Sequence, residues 1–200
     1  MKRIGSVMLC CLGIGAVGAS MALAGNGNEN GTPNPNQVAA QQCTTELHAM
    51  GVKAFKGLYG DPPKGQHAMR NCQRQHGKSA KNVVNNAAQQ CKQEQVDPNF
   101  ASGHGGMTFD QFYGTNHNGR NAFGKCVSAK AQAAQEQQQE TLQNAAQQCR
   151  AERSDPNFAA SHDGKSFTDF YGTNRNNRNA FGKCVSKTAK AMNNPPAPTT

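Results

Sequence analysis

The sequence predicts an all-α protein: three tandem disulfide-stapled helical-hairpin repeats joined by long helices, with disordered termini. Three observations carry this. The chain repeats itself, its cysteines recur in pairs at a fixed spacing, and it has too few core-forming residues for one large hydrophobic interior. The chain has 200 residues, a net charge of +9 and eight cysteines. Residues 1–24 read as a removable signal peptide, with Lys2 and Arg3 ahead of a short apolar run and Ala22-Leu23-Ala24 as the small-residue cleavage pattern. Between 25 and 200 there are nine Phe, seven Val, three Leu, no Ile and no Trp, against 21 Asn and 19 Gln. Such a composition argues against a standard α/β enzyme and leaves small cores that need covalent help.

Residues 86–128 align without a gap on 144–186, with 30 of 43 positions identical. Each unit of a repeat protein is a single supersecondary element, so the repeat sets the fold. A shorter copy lies upstream. Ala39-Ala40-Gln41-Gln42-Cys43 with Glu46 matches the opening, Phe55-x-x-Leu58-Tyr59-Gly60 matches the aromatic segment, and Tyr59 precedes Cys72 by 13 residues, as Tyr113 precedes Cys126 and Tyr171 precedes Cys184. The expected divisions are a linker at 25–36, repeats at 37–82, 83–135 and 136–192, and a tail at 193–200.

Each repeat opens on a helix carrying the Ala-Ala-Gln-Gln-Cys run. In the third, Leu142, Ala145, Ala146 and Cys149 share one helical face. Asp97-Pro98 and Asp155-Pro156 suggest an Asp cap before a proline in the first helical position. Thr108-x-x-Gln111 and Ser166-x-x-Asp169 resemble capping boxes for a short helix, which would end on a left-handed cap at Gly114 or Gly172. An Asn-rich loop follows, and Asn121 or Asn179 is placed to cap the last helix. No Gly or Pro interrupts Lys125 to Asp155. That stretch is predicted as one helix of roughly 28 residues and about 42 Å. Lys78–Val96 is expected to join the first two repeats in the same way.

Six cysteines remain after residue 24, and an exported chain meets oxidising conditions. The expected pairs are Cys43–Cys72, Cys91–Cys126 and Cys149–Cys184, each closing its own hairpin at the open end. Each repeat would then hold its own tiny core. The first, with only two aromatics, would be the first to loosen on reduction.

The segment Phe-Tyr-Gly-Thr-Asn-x-Asn-x-Arg-Asn-Ala-Phe-Gly-Lys-Cys-Val-Ser resembles repeats of uncharacterised secreted actinobacterial proteins. The resemblance covers 86–128 and 144–186 closely and 39–72 in outline. It implies export from a bacterial cell and no particular chemistry.

Few motifs carry chemistry. Gly-x-Ser-x-Gly, His-Glu-x-x-His and phosphate-binding loops do not occur, so catalysis is not expected. The Asn-rich loops lack the acids of a calcium loop. Asn116, Asn118, Arg120 and Asn121, with Asn174, Asn176, Arg178 and Asn179, are the candidate binding residues. His104 and His162 recur 13 residues after a cysteine and carry an alternative reading as a metal-binding protein or enzyme. No metal or cofactor is expected otherwise. The aromatics are assigned to the cores.

Charge is uneven. Residues 39–81 hold seven Lys or Arg against two acids, and 144–191 hold eight against four. Such surfaces attract anionic wall polymers, anionic lipid headgroups or nucleic acid. The leading expectation is a secreted or envelope-bound, non-enzymatic protein with a structural, adhesive or binding role and no integral membrane span once the signal is removed. A basic binder of polyanions is the alternative.

Overall fold

The computed structural model describes residues 31–194. The signal at 1–24, residues 25–30 of the linker and residues 195–200 of the tail lie outside them. The described chain forms α1 (Pro35–Met50), α2 (Val52–Tyr59), α3 (Ala68–Val96), α4 (Phe100–Gly103), α5 (Phe109–Tyr113), α6 (Ala122–Ser154), α7 (Phe167–Tyr171) and α8 (Ala180–Asn193).

Helix α1 begins inside the stretch expected to be a linker. Asn34 is the reason. Its side chain accepts the Asn36 N–H, and Pro35 occupies the first turn, where its missing donor costs nothing. The two joining helices are continuous: Lys125–Asp155 holds no Gly or Pro, and α3 runs through Gly77 ahead of the expected Lys78–Val96. Helix α3 has 29 residues and α6 has 33. They span about 43 and 50 Å. The repeat boundaries at 82–83 and 135–136 therefore fall inside helices.

The disulfides join Cys43–Cys72, Cys91–Cys126 and Cys149–Cys184, with Cα–Cα separations of 5.9, 6.0 and 6.0 Å. They sit at the loop end of each hairpin, not the open end. Cys149 lies in the last two turns of α6 and Cys184 in the first two of α8, so the bond closes the base of the loop. The sulfurs are fully buried.

The chain folds back into a bundle. Ser128 near the start of α6 donates to the Gly31 carbonyl ahead of α1, and Arg150 near its end donates to the carbonyl of Ala49 at the end of α1. Helix α1 therefore runs parallel to α6. The disulfides make α3 antiparallel to α1 and to α6, and α8 antiparallel to α6. Cys126 and Cys149, 23 residues apart, point about 140° apart on a straight helix, which sends α3 and α8 to different sides of α6.

This geometry corrects the expectation of three separate cores. There are two. One unites the first and third repeats: Phe55, Tyr59, Met50 and the Cys43–Cys72 bond pack with Leu142, Phe158, Phe167, Phe181 and the Cys149–Cys184 bond. The other belongs to the second repeat, with Phe100, Phe109, Val127 and the Cys91–Cys126 bond, and it also takes Val38 and Ala39 from α1. A unit with so few apolar residues buries more of them against a neighbour than alone. Glycines permit the closest approaches. A Cβ on Gly57 in α2 would collide with the backbone of Arg178, and one on Gly182 would come within 3.1 Å of Leu58.

Local details follow the repeat, with three corrections. Asp97 and Asp155 do not open a new helix but end α3 and α6, their N–H groups bonding the Glu94 and Glu152 carbonyls. Their side chains accept the N–H of Asn99 and Asn157 in Asx turns, and only in the second repeat does a short helix follow. Gly114 and Gly172 are extended, with φ of −70°, not left-handed. Glycine is required there because a Cβ would strike the carbonyl of Asp110 or Thr168. The left-handed position lies five residues later: Gly65 (φ 67°), Gly119 (φ 65°) and Asn177 (φ 50°). Asn is the non-glycine residue that best tolerates this conformation. Asn121 and Asn179 stand at the helix starts but make no side-chain cap.

The first capping box forms and the second forms only in half. Thr108 accepts the Gln111 N–H and the Gln111 side chain reaches back to the Thr108 N–H. Asp169 is one carbon shorter than Gln. It accepts instead from the Ser166 hydroxyl, while its own N–H still reaches that oxygen.

Candidate functional site

The Asn-rich loops hold themselves together. Asn118 and Asn176 accept the N–H of Arg120 and Arg178 at 3.1 and 3.2 Å. Asn121 accepts from the N–H groups of Thr115 and Asn116 and donates to the Thr115 hydroxyl. Asn179 binds Thr173 in the same way. Asn121 and Asn179 are thus loop ties, and Asn179 is buried. Each loop leaves an arginine exposed, Arg120 or Arg178.

The two loops differ in what lies opposite. In the third repeat, Asn174, Asn176 and Arg178 face α2 and the turn after it, across a groove of about 330 Å³ lined by Lys53, Lys56, Lys64 and Asp61. A second groove of about 370 Å³ shares Lys53, Asn176 and Arg178 and continues to Arg150, Arg153 and Phe181. Together they form one cleft between the first and third repeats, with six cations and a single carboxylate. Among the described residues, none of these six lies within ion-pair distance of an acid. Arg150 and Arg153 are set over the Phe181 ring, at 5.9 and 5.0 Å from its centroid, which holds both guanidinium groups in place. The one acid, Asp61, is already engaged. Hydrogen bonds from His67 and Asn71 hold its carboxyl below the usual range, so it stays charged. The Asn174 Oδ1 is buried at the cleft without a hydrogen-bond partner. The second repeat's set of Asn116, Asn118, Arg120 and Asn121 is brought together only as a loop, away from this cleft.

A second constellation was not anticipated. In every repeat a tyrosine hydroxyl donates to a glutamate beside the disulfide: Tyr59 to Glu46, Tyr113 to Glu94 and Tyr171 to Glu152, at 2.5, 2.9 and 2.7 Å. Cys-x-x-Glu and Tyr-x12-Cys, present in all three copies, are its sequence signal. Burial and the neighbouring carboxylate disfavour tyrosinate. The Tyr113 and Tyr171 phenols are pushed up to about 12, and Tyr59, which is more deeply buried, is also raised. A group whose folded value is raised stabilises the fold fully below the unfolded value of about 10 and loses that contribution as pH climbs through the folded value. Native protein should therefore keep its tyrosines protonated above pH 10, with stability falling between about 10 and 12. An ultraviolet tyrosinate titration checks this. In denaturant all three should ionise near 10, and native titration at that same pH would contradict the pairing.

The residue four after the second cysteine varies. Lys130 pairs with Glu94 at 2.6 Å, Thr188 touches the Cys149 sulfur, and His76 lies 3.0 Å from Glu46 and 3.1 Å from the Tyr59 hydroxyl.

The repeated histidines serve the turns. His104 and His162 stack on Phe100 and Phe158 with ring centroids 3.8 Å apart, and each Nδ1 bonds the phenylalanine carbonyl. Of the aromatic rings around them, Phe100, Phe109, Phe158 and Phe167 lie in the cores as expected and Phe170 packs against one, whereas Phe112 is 43% exposed and lies outside both.

No helix among the described residues is long and apolar enough to cross a membrane. No family model matches the chain, and no curated protein or solved structure matches it. The fold and site define a disulfide-stapled, all-α repeat bundle with a cationic cleft.

Proposed function

We propose that this chain is an exported, non-enzymatic binding protein that holds an anionic polymer, rich in phosphate or similarly charged groups, in the cleft between its first and third repeats. The observation that carries the reading is the set of six cations, Lys53, Lys56, Lys64, Arg150, Arg153 and Arg178, gathered from α2, the turn after it, α6 and the Asn-rich loop against the single carboxylate of Asp61, with none of the six in an ion pair among the described residues. Cations gathered in a groove raise the local potential and concentrate an anionic partner. Two adjoining grooves that share Lys53, Asn176 and Arg178 offer room for successive charged groups of a chain. Three disulfides fit an oxidising compartment, and export agrees with the signal-like start of the sequence.

Inorganic polyphosphate is the simplest probe. If six phosphates are engaged, the logarithm of affinity should fall with the logarithm of salt concentration at a slope of about −4, by analogy with single-stranded nucleic acid. Isothermal titration at several salt concentrations measures it. Binding that does not respond to salt, or no binding at low salt, would remove the electrostatic basis of the proposal.

A further inference from the structure

We infer that the first repeat carries a latent metal site for Zn(II) or a similar thiophilic cation, masked by its disulfide and opened by reduction. Glu46, Cys72 and His76 place one ligand atom each within 4.8 Å of one another, and Cys43 is bonded to Cys72. The four residues come in two pairs with one-face helical spacing, Cys43-x-x-Glu46 on α1 and Cys72-x-x-x-His76 on α3. Two thiolates, one imidazole and one carboxylate form a donor set suited to four-coordinate zinc.

The surroundings are also those of a metal site. Glu46 is 4% exposed and both sulfurs are fully buried. The two carboxylate oxygens have different partners. Oε1 faces His76 Nε2, and Oε2 is held by the Tyr59 hydroxyl, which leaves Oε1 as the ligand and Tyr59 to orient it. Gln42 sits 2.7 Å from His76 Nδ1. A half-turn of its amide presents the oxygen instead, which fixes the imidazole proton on Nδ1 and frees Nε2 for a metal.

The other repeats serve as internal controls. They keep the Cys–Cys bond, the glutamate and the tyrosine, but have Lys130 or Thr188 where His76 stands. Lysine supplies a competing charge and threonine no good ligand. Only the first repeat has the full set.

In the oxidised protein the sulfurs are bonded to each other and are poor ligands. A dithiol reductant transfers two electrons and two protons: the Cys43–Cys72 bond breaks to two thiols and the reductant closes to its own disulfide. Binding then releases both thiol protons to water as two metal–sulfur bonds form. The sulfurs must separate from 2.07 Å to about 3.8 Å, the edge of a tetrahedron with zinc–sulfur bonds of about 2.3 Å.

The test is a Co(II) titration of the full chain, oxidised and after reduction with a water-soluble trialkylphosphine, followed by thiolate charge-transfer and tetrahedral ligand-field absorption. Reduced wild type should bind one Co(II), displaced by Zn(II), and oxidised protein none. His76→Thr, which installs what the third repeat already carries, should weaken binding more than about a hundredfold, beyond the range seen for loss of an orienting partner. If reduction costs helicity, Co(II) should restore it in wild type and not in His76→Thr, as read by circular dichroism. Equal binding by wild type and His76→Thr, binding by the oxidised form, or no tetrahedral spectrum would overturn the inference.

Discussion

Replacing Cys149 and Cys184 together by serine should lower stability by about 4 kcal/mol and loosen the first repeat along with the third. The magnitude is what the chain-entropy treatment assigns to a closed loop of about 35 residues. It is large beside the roughly 5–15 kcal/mol that holds a typical domain together. The coupling comes from the core. Phe55, Tyr59 and Met50 of the first repeat pack in the same cluster as Phe158, Phe167 and Phe181 of the third. Arg150 reaches the Ala49 carbonyl, and α2 rests against α8 where Gly57 and Gly182 allow close approach. Once the α6–α8 hairpin opens, α2 loses the surface it lies on. The second repeat has its own cluster and its own bond, so it should survive longest. Hydrogen exchange on the double variant measures this. Amides of α2 and α8 should lose protection together while those of α5 and the first half of α6 keep theirs. Loosening of the first repeat alone, which its low aromatic content would suggest, would mean the shared core adds little.

The fold was legible wherever repetition supplied a control. Two near-identical copies and a shortened third assign the cysteine pairs, and an unbroken run of helix formers from Lys125 to Asp155 assigns α6. Local caps were legible only in part. Sequence cannot tell a glycine needed for positive φ from one needed for space, and at Gly114 and Gly172 the need is for space. The ordered start of α1 was hidden because Asn34-Pro35 reads equally as a linker or as a helix start. The shared core was out of reach, since each repeat looked self-contained and nothing local says that α2 will lie on α8.

The site follows the same pattern. Asn174, Asn176 and Arg178 are legible as a motif, but the groove they line also needs lysines more than a hundred residues earlier. Asn121 and Asn179 were grouped with them by type, whereas both are consumed by their own loops. Comparison of the repeats does not mark the His76 cluster, because it is not repeated. Its histidine is the position where the repeats differ, and the paired spacings Cys-x-x-Glu and Cys-x-x-x-His were the available signal.

The second large effect concerns the cleft. Changing Lys53, Lys56 and Arg178 to glutamine should weaken polyphosphate binding on the order of fifty-fold at about 0.15 M salt and halve the salt slope, if each cation releases about 0.7 of a counterion. These side chains are exposed and make no ion pair among the described residues, so the variant should fold normally. Neutralising Lys92, Arg120 and Lys125 on the second repeat removes the same charge from another surface and should cost far less. Equal losses from the two triple variants would mean that net charge, and not the cleft, attracts the polymer.

The most direct measurement of where the polymer lies is a lysine acetylation footprint of the oxidised protein with and without polyphosphate, read residue by residue by mass spectrometry. Lys53, Lys56 and Lys64 should be protected while Lys92 and Lys125, also exposed, react at their free rates. Uniform protection of all five, or protection confined to the second repeat, would contradict a binding cleft between the first and third repeats.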